Sequence, residues 1–391
     1  MDKVIMGKSG TINKWYKKKG DKIEKGNILL DAVHNTVPFE VEALSSGYLQ
    51  KIIKKEGEEV FAAEVVACIG KINEGFPFNG ERLAQFSINK DILFELMYNS
   101  MVQACTVVPK DVKSALKKVL SIEQDELTKL HIISIFENLE LCEKRKGLAC
   151  ADTGYPLYFI KIGNNVIFEN GVPIIYRVAK EAVSKATREA KMRPTMVDPL
   201  KRTNPGDNIG YYIPKVEIRF DELVDGIEIT AVPKGGGSEI FGTFYKMMAP
   251  ADGIEGVLKF ILDSVARATY GGKVCPPAVI GVGIGGTSDI CMKIAKEAAV
   301  LRLIGERHPD PYIAKLEKEL LTAINSLGVG PMGFNGINAA LDLHIEYAAT
   351  HTAALPVAFN AQCCICRRST AKISSDGKIK YGIDNPRWSY R

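Results

Sequence analysis

The 391-residue chain reads as two folded bodies: a small all-β module, then a larger mixed α/β domain that begins with helices. Three observations predict this. The first 72 residues hold short β-branched runs punctuated by glycine turns. Residues from about 88 to 146 keep apolar side chains at helical spacing. From Cys150 onward, strand-like and helix-like segments alternate.

In the β module, IEKGNILLDAV and TVPFEVEALSSGYLQKIIKKEGEEV supply the strands, with glycines at the turns. NEGFPFNG, rich in Gly, Pro and Asn, marks a linker, placed at 73–84 with the larger domain at 85–391. ELMYNSMVQA, DVKSALKKVLSIEQ and DELTKLHIISIFENLELCEKR are the helical part of that domain. Beyond them LYFIKIG and VEIRF read as strands. PIIYRVAKEAVSKATREA and GVLKFILDSVARAT read as helices, and PAVIGVGIGG is an apolar strand entering the helix DICMKIAKEAAVLRLIG.

Composition narrows the function classes. Hydrophobic residues make up 46% of the chain, enough for a sizeable core. Net charge is only +5 and the lysines are scattered, so no nucleic-acid partner is expected. No run of about eighteen apolar residues predicts a membrane span, and MDKVIMGKSG lacks the apolar centre of a signal peptide. A reducing cytoplasm is the expected compartment. Nine cysteines, an odd number in a long chain, argue for metal ligands or buried thiols rather than a disulfide framework.

The pattern from Gly20 to Gly26, with Glu42, Ala43 and Gly47, resembles lipoyl and biotinyl carrier domains over nearly all of residues 1–72. Such domains attach cofactor to a lysine at a hairpin tip. The matching position here is Thr36, or His34 with a two-residue insertion, and no lysine lies between Lys25 and Lys51. The resemblance therefore implies a barrel-sandwich fold without its attachment lysine, serving docking or structure.

Five segments of the larger domain join a reactive residue to Gly or Pro: LACADTGYP, RPTMVDPLKRTNPGDN, PKGGGSE, VCPPAVIGVGIGGT, and the pair HTAALPV and QCCICRR. Cys150 and Cys275 are 125 residues apart, and Cys275 and Cys363 are 88 apart, unlike the close cysteine runs of ferredoxins. As an ordered set, from roughly residue 85 to 370, these segments resemble the α chain of iron–sulfur hydro-lyases, the class I fumarases and L-tartrate dehydratases.

The resemblance implies a [4Fe–4S] cluster held by Cys150, Cys275 and Cys363, with one iron not ligated by protein and so open to substrate and to oxygen. It implies that Asp152 delivers a proton or orients water, that Arg193 binds a substrate carboxylate and that His351 stands near the substrate. It also implies that Gly236 lets backbone N–H groups approach an anion. Substrate is expected to be a small dicarboxylic acid, fumarate and (S)-malate first and L(+)-tartrate as the alternative. A non-catalytic cluster sensor or docking module is the alternative of another class. The family's remaining active-site residues sit on a separate β-type part, which implies a partner subunit and a heterotetramer.

Cys364 and Cys366 neighbour the third ligand, and Cys68, Cys105, Cys142 and Cys291 lie on apolar patterns as core thiols. Two departures stand out. Asn204-Pro205-Gly206-Asp207-Asn208 has Pro where the family has Thr, and Ala151 replaces a glutamine common in class I fumarases, which weakens the case for fumarate. Gly281-x-Gly283-x-x-Gly286 matches the dinucleotide fingerprint, but it lies six residues after a cluster ligand and is read as a tight strand-to-helix turn.

Overall fold

The computed structural model describes residues 2–62, 64–70, 85–145, 147–222, 224–382 and 388. The chain divides into two compact units, Met1–Leu83 and Ala84–Arg391. The expected linker at 73–84 lies outside the described residues.

Among the described residues the first unit holds eight strands: β1 (Asp2–Ile5), β2 (Gly10–Trp15), β3 (Lys22–Ile23), β4 (Ile28–His34), β5 (Val37–Glu42), β6 (Gly47–Ile52), β7 (Glu59–Val60) and β8 (Val65–Gly70). They form two four-stranded sheets, β1-β8-β6-β3 and β5-β4-β2-β7. Ile12, Leu30, Leu49 and Ile69 from the two sheets meet in one fully buried core. The lipoyl-like β module is thus present. Its β4–β5 hairpin turns on Asn35 and Thr36, both at positive φ (47° and 72°), the backbone that a two-residue hairpin turn needs. Thr36 occupies the exposed tip and His34 the end of β4.

The second unit starts with β9 (Phe86–Ile88) and the helices α1 (Lys90–Thr106), α2 (Lys110–Ile122) and α3 (Glu126–Arg145). Asn89 caps α1 by accepting the Ile92 N–H at 2.9 Å. There follow β10 (Tyr155–Ile162), β11 (Val166–Phe168), α4 (Ile174–Arg188), β12 (Lys215–Phe220), β13 (Ile227–Lys234), the short α5 (Gly236–Phe241), β14 (Thr243–Met248) and α6 (Gly253–Thr269). The unit closes with β15 (Ala278–Gly285), α7 (Ser288–Leu301), α8 (Pro311–Asn325), β16 (Ala340–Ala348), β17 (Leu355–Gln362), β18 (Ser369–Ile373) and β19 (Ile379–Tyr381).

Two mixed sheets organise this unit: β12-β10-β13-β18-β19 and β14-β17-β15-β16. The pleat sends alternate side chains to opposite faces. Tyr158, Ile160, Ile229 and Ala231 bury against α1 and α4, while Leu157, Phe159 and Val232 bury against Ala299, Val300 and Leu301 of α7. In the other sheet Ile280 and Val282 pack with α6 and α8. Between them, Gly281 and Gly283 face α7, and a Cβ at either would collide with the carbonyl oxygen of Ala295 or Cys291. The helix therefore lies between the sheets in a five-layer α/β stack, as close to β15 as glycine permits. That packing accounts for the dinucleotide-like glycine pattern. Gly285 and Gly286, both at positive φ, then make the turn into α7.

Candidate functional site

Three connections end at one edge of the stack. Cys150 lies just before β10, Cys275 just before β15, and Cys363 just after β17. Because β17 runs antiparallel to β15, with Gln362 opposite Val279, the start of one strand meets the end of the other. The Cys364 N–H donates to the Cys275 carbonyl at 3.0 Å, tying the second and third loops together. Cys150 and Cys363 join one apolar cluster with Val112, Leu116 and Leu139 of α2 and α3, so the helical hairpin walls this end.

The thiols share one electrostatic environment. Cys275 sits at positive φ (53°), and its thiol is pushed up to about 11, first by burial, then by the negative charges of Cys363, Cys150 and Asp152. Burial raises Cys363 too, while the Arg367 guanidinium and Lys234 draw it down. Among the described residues no three His, Cys, Asp or Glu side chains close on a single metal ion. A cubane, with its irons at separate corners, suits thiolates set wider apart, and its positive irons would offset their negative charges. The donor set therefore fits the cluster that the sequence leads one to expect.

Asp152 is gripped from three sides. Its Oδ2 accepts the Gly236 N–H at 2.6 Å and the Gly237 N–H at 3.3 Å, at the start of α5. Its backbone carbonyl accepts from Arg367 Nη2 at 2.7 Å. Gly236 was expected to present its N–H to a substrate anion; here the anion it meets is the Asp152 carboxylate. A Cβ at Gly236 would stand 3.3 Å from Oδ2, a contact tight enough to press on the carboxylate.

Arg193 joins the same region. Its Nη1 donates to the Ala151 carbonyl at 3.0 Å, and its backbone N–H donates to Thr153 Oγ1 at 3.0 Å. The side chain is exposed, leaving other guanidinium donors turned to solvent. Asn208, fully buried, bonds the N–H groups of Thr195 and Met196 and the Arg193 carbonyl, so the NPGDN segment fixes the Arg193 loop. Proline at position 205 leaves this work to Asn204 and Asn208 intact: Asn204 Nδ2 donates to the Pro194 carbonyl at 2.8 Å.

His351 is not brought to the thiols within this chain. It sits on the exposed turn between β16 and β17, its Nδ1 accepting the Ala353 N–H. Cys363 follows the far end of β17, whose eight residues span about 25 Å. The resemblance implies a place for His351 near the substrate; in this chain it stands at the opposite end of β17 from Cys363.

Two residues escaped the sequence reading. Lys234 is fully buried at the end of β13, where Nζ donates to the Ala361 carbonyl (2.6 Å) and Ser238 Oγ (3.0 Å) and pairs with Glu239 (3.5 Å). Burial lowers it to about 8. A lysine closing the apolar strand ITAVP just before three glycines was the available signal. Arg367 is the other, and only its place in QCCICRR pointed to it. Cys366 donates its S–H to the Cys363 carbonyl at 3.0 Å, and Cys364 is buried beside it. A cleft of about 790 Å³ lies behind Lys234, lined by Tyr155, Tyr176, Tyr212, Lys215 and Lys296 among others, but not by the three thiols.

Residues 94–372 match the family model described as fumarate hydratase (Fumerase), and residues 3–69 match the one described as biotin-requiring enzyme. A Methanocaldococcus jannaschii protein provisionally named L(+)-tartrate dehydratase subunit alpha is 47% identical over 290 residues, covering 74% of this chain and 99% of its own length. The L(+)-tartrate dehydratase subunit alpha of Escherichia coli strain UTI89 is 33% identical over 294 residues, covering 75% of this chain and 93% of its own length. The lipoyl domain of the Azotobacter vinelandii 2-oxoglutarate dehydrogenase complex, a solved structure, is 28% identical over 16% of this chain and 80% of that one, with a TM-score of 0.15.

Proposed function

Because the chain belongs to the fumarate hydratase family, we propose that it is the α-type subunit of a hydro-lyase acting on a small dicarboxylic acid. The approach of Cys150, Cys275 and Cys363 at one edge, through their shared packing and the bond from Cys364 to Cys275, is the observation that supports this reading. The three thiolates would hold a [4Fe–4S] cluster, which when bound supplies a Lewis-acidic iron without a protein ligand.

The chain's own residues supply the rest. Arg193 presents exposed donors in a planar fork suited to a carboxylate. Asp152 is held in place by two backbone N–H groups and can hold or pass a proton at the departing oxygen. Arg367 and Lys234 put positive charge behind Cys363, offsetting the thiolates. A base at the neighbouring carbon is to come from a separate β-type subunit, probed as a heterotetramer. That assembly rests on the subunit names of the relatives.

L(+)-tartrate takes precedence over fumarate as substrate. The relatives named above are tartrate dehydratase subunits, and Ala151 stands where many fumarases have glutamine. The test is anaerobic purification with the β chain, counting iron and sulfide, then comparing tartrate dehydration with fumarate hydration. Faster turnover of fumarate would reverse the order. A cluster that loads without turnover of either acid would favour a sensor. Activity should fall on exposure to air, and nine unpaired cysteines suit a reducing compartment.

A further inference from the structure

The two arginines of the Cys-Arg-Arg sequence meet different fates. Arg368 Nη2 pairs with Asp111 Oδ2 at 2.6 Å and is neutralised inside the protein. Arg367 is 2% exposed, yet among the described residues it has no carboxylate partner. Its Nη2 donates to the Asp152 carbonyl at 2.7 Å, while its Nη1 is buried and bonded to nothing.

A buried guanidinium with an unused donor is costly unless an anion completes it. Among the described residues the chain supplies no acceptor for Nη1. The surroundings say where it sits. Arg367 follows Cys363 by four residues and is the strongest charge drawing that thiol down. The glycine turn at Gly235 packs beside the guanidinium, 3.9 Å separating Nη2 from the position of a Cβ.

We propose that Arg367 is a positioning residue for the cluster, its Nη1–H donating to a sulfur atom at the Cys363 corner while Nη2 holds the backbone of Asp152. One planar group then fixes the distance between the cofactor and the acid that works beside it. This rests on the cluster reading given above. A donor to sulfur favours the reduced, more negative cluster, so it raises the reduction potential.

The experiment uses the full chain, reconstituted anaerobically with ferrous iron and sulfide. Iron and sulfide per chain are counted, and the cluster potential is measured by a redox titration read by electron paramagnetic resonance. Arg367→Gln should still load, with a potential more negative than the parent. Arg367→Lys, which keeps the charge but not the fork, should fall between the two. A loaded Arg367→Gln cluster at the parental potential overturns the proposal. So does an unchanged potential with a raised KM for the dicarboxylate once the β-type subunit is added, which would make substrate the acceptor. If Arg367→Gln does not fold, Arg367→Lys decides, and an unshifted potential there overturns it. Failure of the parent chain to take up any cluster would instead remove the functional reading and this proposal together.

Discussion

Asp152 Oδ2 accepts the Gly236 N–H at 2.6 Å, so the proposed acid and the glycine turn form one unit across 84 residues of sequence. Asp152→Asn keeps an oxygen acceptor for that N–H but removes the charge and the proton. Turnover should fall by about 10²–10⁴, with thermal stability nearly unchanged. Steady-state kinetics beside a melting curve checks this, and a variant with near-parental turnover would remove Asp152 from the chemistry.

Cys275→Ser should lose most of its iron while far-ultraviolet circular dichroism stays parental. Cys291→Ser is the contrast. That thiol is fully buried, donates to the Gly283 carbonyl at 3.2 Å, and belongs to the packing of α7. It should load iron normally and melt earlier. Full activity in Cys275→Ser would sink the ligand assignment.

Gly281→Val tests the glycine pattern. The side chain would have to displace the Ala295 backbone in α7. The expected loss is about 1–3 kcal/mol or more, seen as a lower denaturant midpoint. If the pattern bound a dinucleotide, the parent chain would show nicotinamide or flavin nucleotide binding by calorimetry; none is expected.

Glu346 gives a pH signature. Burial raises its carboxyl from 4.5 in the unfolded chain to about 7, against the pull of Arg302. A raised carboxyl favours the folded state when protonated. Its contribution is therefore whole below about 4.5 and is lost as pH climbs through 7. Glu346→Gln should flatten the stability profile between those values, and an unaltered profile would contradict the assignment.

The first unit should take neither lipoate nor biotin. Thr36 at the hairpin tip has no amine to acylate. Incubation with a biotin or lipoate ligase should leave the mass unchanged, whereas Thr36→Lys offers the missing amine. A chain beginning at residue 84 should fold unaided, because the second unit holds its own cores and the Methanocaldococcus jannaschii relative aligns over 99% of its length with 290 residues of this chain.

Much of this was legible in the sequence for local reasons. Cys150, Cys275 and Cys363 stand in Gly- and Pro-marked segments, and strand and helix periods located β10, β12, β15, α4 and α7. Tertiary relations were less legible. Nothing near Gly236 says that its N–H faces Asp152, because the two meet only when β10 and β13 pair. Lys234 looks like a surface lysine until β17 covers it. His351 stands at one end of β17 and Cys363 at the other, a separation that a motif match alone does not convey. Arg367 and Arg368 are adjacent and chemically identical, so only the position of Asp111 tells them apart.

The three sulfurs come from connections that precede β10, precede β15 and follow β17, and the last two are joined by a bond from Cys364 to Cys275. A receptacle assembled from such distant stretches exists only after both sheets have closed. Insertion of the proposed iron–sulfur cluster would therefore come late in the protein's biogenesis, onto a finished scaffold, unlike small zinc modules in which the metal drives the folding. Starvation for iron would leave a stock of intact, empty subunits ready to be charged, rather than unfolded chains awaiting degradation.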